Sequence, residues 1–598
     1  MSGIAGGTIE GPELQELVGE LTGRGREKAW RYEHGGSGLG ISYPAGDPGG
    51  MTVWDDGSRA GIAYGAVTNL PELGFDRYEL FERLLDAPVR TAAAVEGSFL
   101  LACYDGSRDT HVVVTDKLGS RQCFYARDSG FQYATSVAAL LPFVDAPELD
   151  VQGASDLLLM GHMWGDRTLV DQVSAIRPAT VLESVDGAVT TTRYWKPSYE
   201  VREPGGQYLS ELTDRYRQAA RRTASTMPEE AGIWLSGGLD SRMTAAALLD
   251  GPTGGGLRTL TAYGYDANPP TSDNPEIATA VANELSIEYV EVPLSASTFA
   301  GDFERVIEVT DGMVRWNTTA NLSPSYRVTD GPPVLMEGMQ GSLLGDHLLR
   351  YHFDDSRSLV ETQRASETAT SVETVSELLT PDVDPEASFE REASRTDEST
   401  HHAELMDIVF QNYYARRELA SDRVMRDCAG TRAAQVDGDY LELCAGLPKQ
   451  YRKGTFPFSH HFVHADSGGV PYGTSVAKLE VCKRLCPDLA DIKYERTKMK
   501  PSRPYPLHVA GFVGNVVINR LRSRPTYGNG QLQDFWIRDT ETYVHRRVRD
   551  LIDDAVDREL FDADAVRSVY DDHMDGENNA TLLAEITTLE YWLQEHLD

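Results

Sequence analysis

The amino-acid sequence predicts a chain of mixed class, α+β followed by α/β: a sandwich of antiparallel sheets, then a doubly wound parallel sheet, then helices. Three observations carry that expectation. Over about residues 1–145, short alternating segments such as RAGIAYGAV, GSFLLACYD, THVVVTD and CFYARDSGFQYATS are broken by Gly, Asp-Gly and Pro, the signature of packed strands joined by hairpins. From about residue 205, the strand candidates RTLTAYGY, EYVEVPL and PPVLMEG are interspersed with helical patterns such as EIATAVANELS, which implies parallel strands with crossover helices. The end, ELFDADAVRSVYDDHMDGENNATLLAEITTLEYWLQEHLD, spaces its apolar residues at helical intervals, so its helices pack into a core.

Within that frame, YDGSRD and ARDSGF read as hairpin turns, LSELTDRYRQAARRTAS as an amphipathic helix, and AGIWLSGGLDSRMTAAALLD as strand, turn and helix. A chain of 598 residues exceeds a single core, and the change of pattern divides it into 1–200 and 205–598. The stretch from Ser356 to about Thr400 is polar and rich in Glu, Ser and Thr. It is expected to form a mobile insertion or an exposed helical lid, or else a loose surface connection.

Acidic residues number 92 against 56 basic, a formal charge of -36, and only ten of the basic residues are lysine. The excess is spread along the chain, which resembles proteins of high-salt cytoplasm and describes a solvated surface better than a polycation site. An acidic surface opposes phosphate contacts, so nucleic acid is excluded as a partner. The six cysteines make no disulfide framework, and Cys482 and Cys486 stand at i,i+4; they read as reduced, buried thiols. With no basic leader before an apolar run and no stretch of 18 apolar residues, the expected location is cytoplasmic, with no membrane contact.

Chemistry concentrates in Leu235-Ser236-Gly237-Gly238-Leu239-Asp240-Ser241, directly after an apolar strand and before a helix. Two glycines allow a tight turn with amide N-H groups aimed at an anion, and the helix N-terminus adds its positive end. Ser236 and Ser241 can donate to phosphate oxygens, whereas Asp240 suits magnesium. No Walker lysine follows the glycines, so the turn is not a γ-phosphoryl-transfer loop. The plainer reading is a Gly-Gly turn that only caps a helix. Seven of the ten lysines fall between Lys449 and Lys500, against an arginine background, which favours a phosphate-facing role for one or two of them. The run Ser459-His460-His461-Phe462-Val463-His464-Ala465-Asp466 fits no zinc spacing, and His401-His402, next to the polar stretch, is expected to be exposed.

The loop is similar to the SGGxDS pyrophosphate loop of ATP pyrophosphatases, and nearly the whole chain resembles the glutamine-dependent asparagine synthetases. MSGIAGG is similar to their MCGIAG start, DKLGSRQCFY to RDxLGxRPLYY, FQYATSVAALL to xxASExKAL, and the ending TTLEYWLQEHL to theirs. The resemblance implies an Ntn-hydrolase αββα glutaminase domain over 1–200 and an ATP pyrophosphatase domain over 205–598. It implies ATP and magnesium as cofactors: Leu235 to Ser241 as the phosphate loop with Asp240 as magnesium ligand, Tyr263 and Gly264 on the strand that passes the adenine, and Gly338 in the second magnesium segment. Lys498 in YERTKMKP matches the lysine of the family's RxK segment, which stabilises charge at the α-phosphate.

Departures from the family pattern are as informative. Where SGEGxDE is expected, the chain reads Met336-Glu337-Gly338-Met339-Gln340-Gly341-Ser342, so Ser342 replaces the carboxylate ligand and Asp346 is the alternative. ExRxPFLD becomes Gly430-Thr431-Arg432-Ala433-Ala434-Gln435-Val436-Asp437, which keeps Arg432 and Asp437 but puts Gly430 in place of glutamate. With Met339 where β-lactam synthetases resembling this chain place a tyrosine, β-lactam formation is not expected. In the first domain Ser2 stands for the nucleophilic Cys, Tyr64-Gly65-Ala66 for NGE, and AWRYEHGGSGLGISYP lacks the arginine clamp.

The expected function is an AMP-forming amide ligase that activates a small-molecule carboxylate, aspartate by default, for attack by ammonia or an amine. Its glutaminase activity is expected to be lost, with Ser2 a remnant and a separate protein as one source of ammonia. Alternatives are condensation of another carboxylate, on a sugar acid or peptide, and a non-catalytic nucleotide-binding homologue. A homodimer is the expected assembly.

Overall fold

The computed structural model describes residues 2–23, 27–250, 257–268, 270, 273–328, 331–338, 342–347, 349, 351–453, 474–522 and 531–598. Its first twelve strands are β1 (Gly3–Thr8), β2 (Glu27–His34), β3 (Ser37–Pro44), β4 (Met51–Asp55), β5 (Arg59–Val67), β6 (Gly97–Asp105), β7 (Thr110–Thr115), β8 (Phe124–Ala126), β9 (Gln132–Ala134), β10 (Ser174–Ala175), β11 (Thr180–Val185) and β12 (Ala188–Arg193). They form two antiparallel six-stranded sheets, β10-β8-β9-β1-β3-β2 and β12-β11-β7-β6-β5-β4. The turns YDGSRD and ARDSGF do join hairpins, β6 to β7 and β8 to β9.

Strand β6 explains why its sequence is continuously apolar. Leu100, Ala102 and Tyr104 face the layer between the sheets, with Ile4, Ile41 and Ile62. Leu101 and Cys103 face the other way, onto Leu80, Phe81 and Leu84 of an outer helix. Successive strand residues point to opposite faces, so a strand covered on both sides needs apolar residues throughout. With helix α1 (Gly11–Glu20) laying Leu14 and Val18 over Gly38 and Gly40 of β3, the layers are helix, sheet, sheet, helix, the Ntn-hydrolase-like sandwich expected.

Five further strands, β13 (Glu230–Trp234), β14 (Thr259–Ala267), β15 (Glu288–Leu294), β16 (Val334–Met336) and β17 (Gly430–Arg432), lie in the order β15-β14-β13-β16-β17. Every pairing among them is parallel. The chain leaves β13 toward β14 and β15, then returns to β16 on the opposite side. That reversal makes the carboxyl ends of β13 and β16 the topological switch point, where ligands of open α/β sheets bind. Helix α2 (Asp240–Leu249) follows β13, and α3 (Asn274–Glu284) follows β14.

The polar stretch after Ser356 is neither a lid nor a loose connection. Helices Leu359–Glu367, Val372–Leu378 and Ala387–Arg395 bracket the two halves of the molecule through polar side chains: Trp164 Nε1 donates to Gln363 Oε1 at 3.0 Å, Ser388 donates to Asp156 at 2.8 Å, and Arg177 forks onto Glu392 at 2.8 and 2.7 Å. Its composition reads as exposed because its partners are charged and lie far away in sequence. The C-terminal helix Ala580–His596 shares one apolar core with Val151–Met160 through Leu583, Ile586, Leu589 and Trp592. All six cysteines are free and five are buried, and Cys482 and Cys486 sulfurs lie 3.8 Å apart. Among the described residues no helix is long and apolar enough to cross a membrane.

Candidate active site

The loop 235–239 lies at the carboxyl end of β13, as its strand-turn-helix pattern requires, and at the switch point. Leu235 N-H donates to the Tyr263 carbonyl at 2.8 Å, so β14 fixes the start of the loop by backbone, the side chain of Tyr263 being buried in the sheet. At Gly264 the Tyr289 ring lies directly against the backbone, and a Cβ there would sit 1.9 Å from Tyr289 Oη. The serines knit the turn: Ser241 Oγ accepts from Ser236 N at 3.0 Å and lies 3.2 Å from Ser236 Oγ, which accepts from Gly238 N at 3.2 Å.

The two glycines serve for different reasons, and neither is a positive φ. Gly237 allows a close approach, since its Cβ would meet Asn274 Oδ1 at 3.0 Å and Glu495 Cβ at 3.1 Å; its N-H donates to Asn274 Oδ1 at the start of α3. Among the described residues, only Ser236 Oγ lies near the Cβ position of Gly238, and a Cβ on Gly338, just after β16, would meet nothing within 4 Å. A phosphate chain bound at the switch point would lie against these two glycines.

Two lysines stand beside it. Lys498 adopts the left-handed conformation, φ 56°, uncommon for a residue with a side chain, and its ammonium is 3.2 Å from Asp273 Oδ2. Its segment is held to the loop by backbone, Glu495 N to Gly237 O at 3.1 Å, and by the buried Arg242. That guanidinium donates to the carbonyls of Gly237 and Gly238 on one side and of Leu489, Ile492 and Lys493 on the other. Lys478, which sequence reasoning did not single out, lies on helix Val476–Leu485 with its Nζ 2.8 Å from Asp240 Oδ2. The cluster of lysines after Lys449 was its only signal in the sequence, because contact with Asp240 spans 238 residues. Ser475 caps that helix and donates to Leu344 O at 2.5 Å, tying the lysine helix to the turn 342–346.

Asp240, Ser236 and Ser241 offer hard oxygen donors to magnesium, and among the described residues no group of three metal-ligating side chains forms. A magnesium ion at Asp240 would be held by that carboxylate and by phosphate oxygens, the usual arrangement for this cation. The side chain of Asp346, Met339 to Gly341 and the histidine run 459–466 lie outside the described residues. His402, expected to be exposed, is partly buried: its Nδ1 lies 2.8 Å from His352 Nε2, and burial lowers its pKa to about 4.

The first half presents a different site. Ser2 is buried, its hydroxyl donates to the Arg426 carbonyl at 2.8 Å, and Tyr64 Oη donates to the Ser2 carbonyl at 3.1 Å. Gly65, at φ 89°, donates its N-H to Gly50 O at 2.8 Å, and Ala66 is buried in β5. Around them Glu337 Oε1 accepts from Arg121 at 2.6 Å, Arg426 at 3.0 Å and Thr431 at 2.5 Å. Burial opposes the charge on Glu337, but the two guanidiniums outweigh it and hold the carboxyl below its usual range. Nearby Arg432 forks onto Asp47 at 2.7 and 2.8 Å, both side chains fully buried. Gly430 is then obligatory, because any Cβ there would lie 2.2 Å from Asp47 Oδ2.

Comparison with known proteins matches each half separately. The glutamine amidotransferase domain family matches residues 83–195 and the asparagine synthase family residues 211–453. No curated protein matches the chain. Among solved structures, it is similar to a glutamine phosphoribosylpyrophosphate amidotransferase from B. subtilis at 13% identity over 48% of this chain and 65% of that one, TM-score 0.24. NMN synthetase from Francisella tularensis follows at 14% identity over 48% and 93%, TM-score 0.18; both scores are too low to bear on function.

Proposed function

We propose that this chain, which has the two-domain architecture of the glutamine-dependent asparagine synthetases, is an ATP-dependent, AMP-forming amide ligase whose amidase half no longer hydrolyses glutamine. In this reading a substrate carboxylate is activated as an acyl adenylate, with release of pyrophosphate, and an amine or ammonia then takes the acyl group. The observation that carries it is the SGGLDS loop at the switch point, with Lys478 ion-paired to Asp240 and Lys498 braced by Arg242. Loop amides and the hydroxyls of Ser236 and Ser241 would hold the departing pyrophosphate, and Lys498 would balance charge at the α-phosphate. Magnesium bound at Asp240 would share that carboxylate with Lys478 or displace it.

Loss of the amidase rests on commitments already made by its would-be catalytic groups. An Ntn serine must lend its hydroxyl to an adjacent base, but Ser2 Oγ is donating to Arg426 O. An oxyanion hole needs free donors, but the Gly65 N-H is bonded to Gly50 O. Nitrogen therefore comes as ammonia, as an amine substrate or from a separate protein. The domain division at 1–200 and 205–598 and a cytoplasmic, high-salt setting belong to the same proposal. Carboxylate-dependent exchange of pyrophosphate into ATP tests the ligase: exchange abolished by Asp240→Asn is expected, and no exchange with aspartate or with free or peptide-borne carboxylates would leave the non-catalytic nucleotide-binding reading in its place.

A further inference from the structure

Three histidines, an arginine and a lysine gather beside the turn 342–346. His352 is buried, and its Nε2 lies 2.8 Å from His402 Nδ1. His402 also stacks on Phe353, with ring centroids 5.7 Å apart, and Lys449 Nζ stands 4.6 Å from the centroid of the same phenyl ring. Arg452 is buried as well, and its guanidinium donates to the carbonyls of Leu447 at 3.2 Å and Cys444 at 3.0 Å. The turn meets this group closely, since a Cβ on Gly345 would lie 3.2 Å from Arg452 Cα. Lys449 is exposed, and His401 and His402 are only partly buried, so solvent reaches one side of the group.

Counter-charge is what the group does not contain. Among the described residues, His352 Nδ1, His401 Nε2 and His402 Nε2 are buried without a hydrogen-bond partner, and no carboxylate pairs with Arg452 or Lys449. At His352 burial comes first and His402, Arg452, His347 and His401 follow, all opposing a positive charge; at His402 burial is joined by Arg452 and His401. Two tyrosines and a thiol, Tyr414, Tyr208 and Cys444, are the groups that offset burial at Arg452. The helix His401–Gln411 begins at the same place, capped by Thr400 and with Glu404 as the one acid of its first turn, so its positive end adds to the field. A buried cation without a counter-ion is costly, and this one lies in a chain that carries 92 acidic residues. The missing partner is an anion.

We propose that this cluster is a binding site for a phosphate group, free or as pyrophosphate. Phosphate brings more negative charge and more acceptor oxygens than a carboxylate, which suits two cations and three imidazoles. The histidine pair links a proton to that binding. In a neutral pair, whichever ring nitrogen donates across the 2.8 Å contact, one of the two outer nitrogens keeps a hydrogen and the other a lone pair. An anion beside the pair favours hydrogen on both, so binding draws about one proton from solvent. The origin of the phosphate, unlike its binding, rests on the ligase reading. There it is the pyrophosphate leaving the loop, because the turn that touches Arg452 through Gly345 also accepts, at Leu344 O, the Ser475 hydroxyl of the helix that bears Lys478.

Isothermal titration of the full chain with inorganic phosphate, pyrophosphate, acetate and succinate, near neutral pH and without magnesium, reads the site. The expected result is phosphate bound at least about tenfold tighter than either carboxylate, with uptake of about one proton seen as a heat that differs between buffers of unlike ionisation enthalpy. Lys449→Ala and His401→Gln should each weaken phosphate by about tenfold. Lys449 is exposed and His401 Nε2 bonds to nothing, so both variants keep the wild-type thermal transition. His352→Gln/His402→Gln should abolish the proton uptake. Carboxylates bound as tightly as phosphate, no proton uptake, or phosphate binding untouched by Lys449→Ala and His401→Gln overturns the site. In carboxylate-dependent exchange, Lys449→Ala should raise the KM for pyrophosphate severalfold and leave the KM for ATP unchanged. An unchanged pyrophosphate KM, with phosphate binding weakened as expected, assigns the site to phosphate from solution and overturns its link to the loop. Phosphate binding without exchange from any carboxylate would sink the ligase reading and leave this site standing.

Discussion

The cluster around Glu337, beside Ser2, and the cluster around Asp240, in the loop 235–241, both gather charged side chains at strand ends, yet they differ in where those charges can reach. Glu337 has no exposed side-chain surface and its Oε1 takes three donors from within the protein. Asp240 is paired with Lys478 but keeps about a third of its side chain, 34%, exposed. Gly238 and Gly338 have almost no described neighbours at their Cβ positions, whereas Gly65 and Ser2 spend their donors on Gly50 and Arg426. A buried, mutually satisfied cluster holds two parts of a chain together; a partly open one can take a ligand. Glu337 and Gly338 are neighbours in sequence, so the boundary between these roles falls between two consecutive residues.

The sharpest way to break the comparison is at Lys478. Lys478→Ala removes the cation closest to Asp240, and pyrophosphate exchange should fall by about a hundredfold to a thousandfold, as for loss of one preorganised charge at a reacting centre. Folding should be retained, because Asp240 is partly exposed and water can replace the ammonium. A thermal transition lowered as strongly as activity would make Lys478 a structural partner only.

On the other side, Arg432→Ala should leave the Asp47 carboxylate buried without its cation and destabilise the fold by about 3–5 kcal/mol, read by urea unfolding. Gly430→Glu, which restores the family's residue, should cost about 3 kcal/mol, because its Cβ would fall on Asp47. A neutral Gly430→Glu would show that the chamber wall yields more readily than its ion pairs imply.

Most of this architecture was legible from the sequence, and the gaps have a common cause. Alternation and crossover patterns gave the sheets because strand periodicity is local, and the loop was found because its residues are consecutive. Lys478, the Arg242 brace and the Glu337 cluster join residues hundreds of positions apart, so no window of sequence could reveal them. The helices after Ser356 were misjudged for the same reason: their Glu, Ser and Gln side chains are polar because they meet arginines, a tryptophan and a buried aspartate of the first half. His402 looked exposed because its partner His352 is 50 residues away.

Acid should separate the regions by pH. Burial, with Arg452 and His401 adding to it, lowers the His402 pKa from 6.5 to about 4. Its stabilising contribution is thus present above pH 6.5 and lost as pH falls toward 4, with a slope of about 1.4 kcal/mol per pH unit where the folded form stays neutral. Glu337 is depressed below 4.5, so its contribution is present above that value and lost only as pH falls further. Urea midpoints should therefore decline between pH 6.5 and 4.5 in wild type and decline less steeply in His402→Gln. An unchanged slope in the variant would remove the histidine pair from the account.

The smallest expected effect is the most discriminating for the chamber. Ser2→Cys supplies the family's nucleophilic atom, and a thiol is more acidic than the hydroxyl it replaces. Nucleophilicity is nevertheless only one requirement. The Gly65 N-H remains bonded to Gly50 O, Tyr64 Oη donates to the carbonyl of residue 2, and the carbonyl of Arg426, whose side chain is fixed by the Glu337 cluster, lies where the side chain at position 2 points. Glutamate release from glutamine should stay at background in Ser2→Cys and in Ser2→Cys/Tyr64→Asn, with folding unchanged. A glutamine-dependent rate that disappears on thiol alkylation would show the chamber to be one substitution from function, and its closed hydrogen bonds to be a resting arrangement that substrate can open.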